Sequence, residues 1–193
     1  HTIFTGALYP NYPMAINTSL VRPEEIRSWQ DLLHPKWKGK ILMNDPTIAG
    51  VGSSFAAFVA NVLGYDYLRA LVKQEPVVMR DQRLMFDWLA QGKAAFIVPP
   101  LTEVLTTFRE AGAPVRGVIP KEGTWLAVGI STVSVFTRAA HPNAAKVLVN
   151  WLLSKEGQTV LCRAAGYQSA RMDVPYDWLS ADAVRNPNTK YYS

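Results

Sequence analysis

Short apolar strands alternate with amphipathic helices between residues 39 and 122. The strand-like segments read GKILMN, PVVMR, AAFIV and PVRGV, and the helical patterns between them end at glycines. The helix after the first strand has one apolar face, formed by Phe55, Phe58, Val59, Val62 and Leu63. Strands and helices that alternate at this interval predict a mostly parallel sheet with helices on both faces, and therefore an α/β fold.

The two flanks of this unit have a different character. Residues 4–19 are extended and rich in Pro and Tyr, and residues 124–137 form a long β-like run with small residues inside. A helical stripe follows, made of Ala144, Val147, Leu148, Trp151 and Leu152. Ser154 and Gly157 interrupt this pattern, so a second short helix is predicted over residues 158–165.

Composition limits the class of protein. The chain has 193 residues, of which 49% are hydrophobic, so it can bury a sizeable core. No apolar run approaches the roughly 20 residues of a membrane helix, and no signal-peptide pattern follows His1. We therefore expect a chain that does not itself span a membrane.

The charge pattern argues against a nucleic-acid partner. The formal net charge is +5, but the 20 Lys and Arg residues are scattered rather than gathered in one stripe. The single cysteine, Cys162, lies in the apolar part of a predicted helix and has no partner for an internal disulfide. Cysteine usage therefore does not indicate a cellular compartment.

Several segments resemble one known family in order and spacing. They are WQDLLHPKWKGKILMNDP (29–46), QGKAAFIV (91–98), AGAPVRGVIPKEGT (111–124), HPNAAKVLVNWLLSKEGQ (141–158) and SARMDV (169–174). Together they resemble the bacterial extracellular solute-binding proteins of ABC transporters, in the iron, polyamine and phosphonate branch of the type II periplasmic binding proteins.

The resemblance implies a domain organisation. Residues 1–19 would be a first hinge-crossing segment, 20–123 the second α/β lobe, and 124–137 a second hinge-crossing strand. Residues 138–193 would be C-terminal helices and a tail that belong to the first lobe. Members of the family are longer at the N-terminus, so we expect a fragment that lacks most of the first lobe and the signal peptide.

The resemblance also implies a function. The protein would be the substrate-binding component of an ABC importer, located in the periplasm, without a cofactor. Two lobes would close about the hinge strands on a small solute in the cleft between them. The loaded protein would then dock on a permease in the inner membrane.

The loop after the first strand is the best candidate ligand site. The sequence AGVGSS places Gly50, Val51, Gly52, Ser53 and Ser54 just before a helix, whose free N–H groups attract anions. Ligands of open parallel sheets bind at this edge. Alternatively, Ser53 caps the helix and the glycines only form the turn.

Three further residues are candidate ligand contacts. Arg80 ends the second strand and can hold a carboxylate or phosphate with two parallel hydrogen bonds, or it can pair with Asp81 or Asp87. Tyr9 and Trp125 lie on the hinge segments, where they can line a cleft or pack between lobes.

The pattern of metal ligands departs from the iron-binding members. Those proteins carry adjacent tyrosines just after the third strand, where this chain has Val98-Pro99-Pro100-Leu101. Tyr191 and Tyr192 stand in a polar C-terminal tail, and no set of metal ligands is evident. We therefore expect an organic anion, such as a phosphonate or a small carboxylate, with an iron(III)-binding transport protein as the alternative.

Catalytic motifs are missing from the sequence. It contains no G-x-S-x-G, H-E-x-x-H or Walker sequence, and GVGSS lacks the lysine of a P-loop. We therefore predict a binding protein and not an enzyme. An anion-handling enzyme or a ligand-sensing domain on the same fold stays open as an alternative of another class.

Overall fold

The structure is a computed structural model that describes residues 3–5, 7–8, 12–125, 132–179 and 184–192. The chain divides into two compact units. The sheet unit comprises Asn11–Trp125 and Lys190–Tyr192, and the helix-pair unit comprises His1–Pro10, Leu126–Thr189 and Ser193. Each unit is described by itself below.

The strands and helices have the following bounds in chain order. The strands are β1 (Ile3–Thr5), β2 (Ala7–Leu8), β3 (Met14–Asn17), β4 (Ile41–Asn44), β5 (Val77–Met79), β6 (Phe96–Val98), β7 (Val115–Val118), β8 (Thr124–Trp125), β9 (Thr132–Ser134), β10 (Gln168–Ser169) and β11 (Tyr191–Tyr192). The helices are α1 (Val51–Val62), α2 (Tyr65–Val72), α3 (Gln82–Ala90), α4 (Thr102–Glu110), α5 (Pro142–Leu152) and α6 (Lys155–Ala165). Short 3-10 helices cover Pro23–Glu25, Trp29–Leu33 and Pro35–Trp37.

A five-stranded sheet in the order β5-β4-β6-β3-β7 forms the centre of the sheet unit. Strand β4 runs parallel to both β5 and β6, whereas β3 pairs antiparallel with β6 and with β7. The predicted α/β class with a mostly parallel sheet is therefore confirmed, and β3 is the antiparallel member.

Both faces of this sheet are covered by helices, as the alternation of strands and helices predicted. Successive strand residues point to opposite faces, so Ile41 and Met43 join one hydrophobic cluster and Leu42 joins the other. The first cluster includes residues of α1 and α2, and the second includes residues of α3 and α4.

Strand β3 lies in the segment that the sequence indicated only as extended. All four residues of Met14–Asn17 are buried, and they pair with strands on both sides. Asn17 extends this packing, since its Nδ2 donates to the carbonyl of Leu89 at 2.6 Å. The end of the predicted crossing segment 4–19 is thus a structural part of the sheet.

Two helix starts differ from their predicted positions. Helix α1 begins at Val51, so Gly52, Ser53 and Ser54 lie in its first turn instead of in the preceding loop. Helix α6 begins at Lys155 and not at residue 158, because the Ser154 hydroxyl accepts a hydrogen bond from the Gly157 N–H at 3.1 Å and caps the helix.

The helix-pair unit pairs β1 with β9 and β2 with β10, both antiparallel, beside α5 and α6. Of the α5 residues, only Val149 is buried. The predicted apolar stripe instead faces outward, with Val147 69%, Leu148 55% and Trp151 40% exposed.

The end of the chain returns to the sheet unit. Strand β11 pairs in parallel with β8, and the Thr124 N–H donates to the Lys190 carbonyl at 3.0 Å. The Tyr192 ring packs at 5.6 Å from the Phe58 ring. Lys190–Tyr192 thus group with the sheet unit, whereas the sequence placed all of residues 138–193 with the other lobe.

Candidate functional site

The carboxyl ends of three parallel strands define one edge of the sheet. Strands β4, β5 and β6 end at Asn44, Met79 and Val98. In register, Asn44 pairs with Met79, and the Asp45 N–H donates to the Met79 carbonyl at 3.0 Å. The residues that follow the two strands, Asp45 and Arg80, therefore emerge side by side at the edge where ligands of such sheets bind.

Helix α1 presents its first turn at this edge. Its N-cap is Gly50, at φ 141°, and no side chain caps the helix. Uncapped N–H groups at a helix start carry partial positive charge and favour anions. The sequence-predicted residues Val51, Gly52 and Ser53 supply these groups.

The Ser53 hydroxyl is already engaged in the first turn. It accepts from the Gly50 N–H at 3.2 Å and donates to the Gly50 carbonyl at 2.9 Å. Ser53 thus stabilises the helix start from position N3 and not from the N-cap position. Ser54 is exposed in the same turn.

Gly52 lets the helix approach the end of β4 very closely. A Cβ at this position would collide with the carbonyl of Asp45 and would lie 3.0 Å from the carbonyl oxygen of Asn44. Only a residue without a side chain fits such an approach. The backbone of Asp45 thus fixes where the first turn of α1 lies.

The Asp45 carboxylate organises the rest of the edge. Its Oδ1 accepts from the Thr47 N–H at 2.8 Å and from the Thr47 hydroxyl at 2.6 Å, while its Oδ2 accepts from Arg80 Nε at 2.9 Å. The hydrogen bonds from Thr47, together with that from Arg80, lower the pKa of Asp45 to about 2. The carboxylate is therefore charged at neutral pH.

Arg80 pairs with a residue that sequence reasoning did not consider. The alternative to a ligand contact was a pair with Asp81 or Asp87, but Asp81 Oδ1 accepts from the Leu84 N–H at 3.0 Å and caps α3. The side chain of Arg80 is 69% exposed, whereas that of Asp45 is 11% exposed. Among the described residues, no hydrogen-bond partner is found for the two terminal nitrogens of Arg80.

Asp45 is the functional candidate that the sequence analysis missed. No role was assigned to it there. A usable signal was present, because Asp followed two residues later by Thr is typical of a turn closed by side-chain hydrogen bonds.

Gln82 forms hydrogen bonds with the loop that follows the third of these strands, β6. Its Nε2 donates to the Pro99 carbonyl at 3.0 Å, and its Oε1 accepts from the Leu101 N–H at 3.1 Å. Helix α4, which follows, also starts without a side-chain cap. These contacts hold the loop that stands where iron-binding members carry tyrosines.

Of the two aromatic candidates, Trp125 and Tyr9, only Trp125 lies within the described residues. Trp125 is 8% exposed and packs against Phe58, with ring centroids 5.2 Å apart, so it belongs to the core of the sheet unit. Tyr9 lies outside the described residues. Tyr192, one member of the C-terminal tyrosine pair, packs against the same Phe58 ring.

The Glu122 carboxylate forms hydrogen bonds at the start of a 3-10 helix. The carboxylate accepts from the Ser28 hydroxyl at 2.6 Å and from the Trp29 N–H at 3.2 Å. Glu122 therefore supports the start of the 3-10 helix Trp29–Leu33.

In the motif SARMDV, Arg171 makes several hydrogen bonds within the helix-pair unit. Arg171 donates through Nε and Nη2 to Asp173 at 2.9 and 2.8 Å, and through Nη1 to the Leu153 carbonyl at 3.0 Å. It lines a groove of about 620 Å³ together with Met172 and Tyr176. The donors of Arg171 are thus used within the protein, unlike the terminal nitrogens of Arg80.

Among the described residues, no group of three or more His, Cys, Asp or Glu residues could hold a metal ion. Within the same ranges, no helix combines the length and apolar character needed to cross a bilayer.

The family model for bacterial extracellular solute-binding proteins matches residues 9–168. The chain belongs to this family. The family resemblance stated from the sequence is therefore confirmed, and the family consists of binding proteins that serve transport.

Two curated relatives come from Haemophilus influenzae. An uncharacterised protein is 32% identical over 136 residues, which cover 68% of this chain and 38% of that protein. A protein named spermidine/putrescine-binding periplasmic protein 1 is 24% identical over 194 residues, which cover 90% of this chain and 52% of that protein. The chain thus spans about half or less of the length of these relatives.

Solved structures show the same type II periplasmic binding protein fold. AfuA from Actinobacillus pleuropneumoniae, with fructose-6-phosphate bound, has a TM-score of 0.67 at 22% identity, over 99% of this chain and 58% of its own. The Trichodesmium protein IdiA (FutA), in complex with iron and citrate, has a TM-score of 0.73 at 18% identity, over 93% of this chain and 59% of its own. At these identities the likeness concerns the fold.

Proposed function

We propose that this chain is part of the substrate-binding component of an ABC importer, and that it binds a small anionic solute. The binding residues are the first turn of α1, from Gly50 to Ser54, and Arg80. The solute is a phosphonate, a phosphate ester or a small carboxylate, and no bond is made or broken. Periplasmic location and docking on an inner-membrane permease are parts of this proposal.

One observation carries the choice of an anion. The uncapped start of α1 and the guanidinium of Arg80, with its terminal nitrogens unpartnered among the described residues, share Asp45 as a neighbour. Both groups are hydrogen-bond donors with positive character. The Asp45 carboxylate already accepts hydrogen bonds from Arg80 and Thr47.

Polyamine and iron(III) are less favoured by the side chains present. A polyamine needs unpaired carboxylates, but Asp45 and Glu122 are both engaged in hydrogen bonds within the sheet unit. The place of the iron-binding tyrosine pair is occupied by Pro99 and Pro100, and Tyr192 is packed on Phe58.

Since the chain spans about half of its curated relatives, we propose that polypeptide outside these residues supplies the remaining solute contacts. The 193-residue chain should then bind weakly. A nanomolar dissociation constant for this chain would contradict that part of the proposal. Lobe closure about residues 4–19 and 124–137 stays a prediction.

A thermal-shift screen tests the proposal. The panel comprises methylphosphonate, inorganic phosphate, fructose 6-phosphate, citrate, spermidine and ferric citrate. A ligand at 100 times its dissociation constant adds about 2.7 kcal/mol to the free energy of unfolding. We expect shifts with phosphonate, phosphate or carboxylate that are lost in Arg80→Ala and weakened in Ser53→Ala.

The matched control is Arg69→Ala. Arg69 pairs with Asp66 on the surface of α2 at 2.7 Å, so its loss removes the same charge away from the site. A shift with spermidine alone would indicate a polyamine-binding protein. A shift with ferric citrate but not with citrate would indicate an iron(III)-binding protein.

A further inference from the structure

Arg80 has one edge of its guanidinium occupied and another one open. Its Nε donates to Asp45 Oδ2 at 2.9 Å, whereas its two terminal nitrogens have no partner among the described residues. A guanidinium can bind an oxyanion through the edge that includes Nε or through the edge formed by both terminal nitrogens. Asp45 therefore blocks the first edge.

Asp45 is itself held rigidly. Its side chain is 11% exposed, and its other carboxylate oxygen accepts two hydrogen bonds from Thr47. Its backbone nitrogen is tied to the Met79 carbonyl. An arginine anchored to such a group loses much of the rotamer freedom that an exposed side chain would otherwise have.

Asp45 also fixes the first turn of α1, whose N–H groups are the second set of donors. The Asp45 carbonyl is the atom that a side chain at position 52 would strike, so the first turn of α1 rests on the Asp45 backbone. One residue thus sets the position of the guanidinium through its carboxylate and the position of the helix start through its main chain.

We infer that Asp45 is a positioning residue that fixes Arg80 to bind the solute end-on, through both terminal nitrogens, next to the first turn of α1. The inference rests on the proposed function, since it specifies how that site engages an oxyanion. Asp45 itself does not contact the solute. Its effect is to set the separation and orientation of the two donors, which favours a ligand with paired oxygens such as a phosphate or a carboxylate.

The test uses inorganic phosphate as the probe and the 193-residue chain with labelled arginine side chains. Phosphate is titrated while the Nε and terminal-nitrogen resonances of Arg80 are followed by NMR. In the natural sequence we expect the terminal nitrogens to shift and the Nε resonance to stay. In Asp45→Asn and Asp45→Ala we expect Nε to shift as well and the affinity to fall by about two- to tenfold, because binding must then order a side chain that Asp45 no longer holds.

Asp45→Asn keeps the shape of the side chain and guards against a folding defect in Asp45→Ala. Asp66→Ala is the matched control, because it frees Arg69 from an exposed pair of similar length without touching the site. We expect phosphate affinity in Asp66→Ala to equal that of the natural sequence.

The outcomes separate the inference from the proposed function. Phosphate that perturbs Arg80 equally in the natural sequence and in both Asp45 variants overturns the inference and leaves the proposed function standing. A phosphate-dependent shift of Nε in the natural sequence also overturns the inference alone. Absence of any perturbation at Arg80 and at the amides of residues 51–53 overturns both.

Discussion

The sheet unit and the helix-pair unit differ in how they bury apolar side chains. The sheet unit packs two hydrophobic clusters, one on each face of its sheet. Among the described residues of the helix-pair unit, the buried hydrophobic side chains are Val149, Cys162 and Val174, while the stripe of α5 is exposed. The sheet unit therefore has the core that an independently stable domain needs, whereas the described residues of the helix-pair unit supply only a small part of one.

This contrast bears on where a rigid site can be placed. A binding site needs donors that are held by packing and by supporting hydrogen bonds. Asp45 and Arg80 directly follow two strands of the sheet, and Gly52 lies in a helix packed on it, so all three are held by the clusters of the sheet unit. The candidate site is thus supported by the better-packed part of the molecule.

The largest expected effect comes from truncating a core aromatic in the sheet unit. Trp29 is completely buried, and its ring lies 5.6 Å from Phe55 and 5.8 Å from Phe58. Trp29→Ala should lower the free energy of unfolding by about 3–5 kcal/mol because it leaves a large cavity. Urea unfolding followed by circular dichroism measures the change.

Trp151→Ala in the helix-pair unit is the partner experiment. Trp151 is 40% exposed, so the same truncation should cost clearly less, about 1–2 kcal/mol. Equal costs at the two positions would show that the contrast between the units is wrong.

A smaller effect is expected where α1 meets the end of β4. Gly52→Ala places a methyl group against the Asp45 carbonyl, so the helix start must shift at a cost of about 1–3 kcal/mol. Thermal unfolding should show a lower Tm. Ser54→Ala, an exposed position in the same turn, is the control and should leave the Tm nearly unchanged. A Gly52→Ala protein as stable as this control would rule out the close approach.

The loss of a helix cap should act differently in the two units. Asp81→Ala removes the cap of α3, and Ser154→Ala removes the cap of α6, each at a cost of about 1 kcal/mol. In the sheet unit the loss should appear in the unfolding of the whole unit. In the helix-pair unit, which has fewer buried contacts, it should appear as faster amide exchange confined to α6. Identical exchange profiles around both caps would contradict this difference.

The smallest effect is a pH dependence in the sheet unit. Because the pKa of Asp45 is lowered from 3.8 to about 2, its hydrogen bonds with Thr47 and Arg80 stabilise the folded state above pH 3.8. That stabilisation should be lost as the pH falls through about 2. Urea midpoints measured between pH 5 and pH 2 should fall more steeply in the natural sequence than in Asp45→Asn. Parallel curves would show that the carboxylate contributes no such dependence.

Much of the fold followed from local patterns. The strand at GKILMN, the apolar face of α1 and the glycine after it were all predictable because side-chain period and backbone freedom are local properties. The glycine-bearing segment of the candidate site was also found in this way. The exact start of α1 was not predicted, because its N-cap residue, Gly50, has no side chain that would mark it.

The chemistry of the site depended on contacts that no local pattern encodes. Arg80 had Asp81 and Asp87 as nearer choices in sequence, yet it pairs with Asp45. The reason is the parallel register of β4 and β5, which sets Asn44 opposite Met79 and so brings the next residues together. Trp125 was a candidate either for lining a cleft or for packing between lobes, and its packing with Phe55 and Phe58 follows from contacts that are distant in sequence.

The sequence by itself determined the α/β class, the alternation of strands and helices, the solute-binding family and the glycine-rich start of α1. These features depend on the spacing of apolar residues, on turn residues and on motif order, all of which can be read along the chain. The tertiary structure alone decided that Asp45 holds Arg80, that β3 enters the sheet and that the stripe of α5 faces outward. Each of these depends on strand register or packing between residues distant in sequence, which only the folded chain brings together.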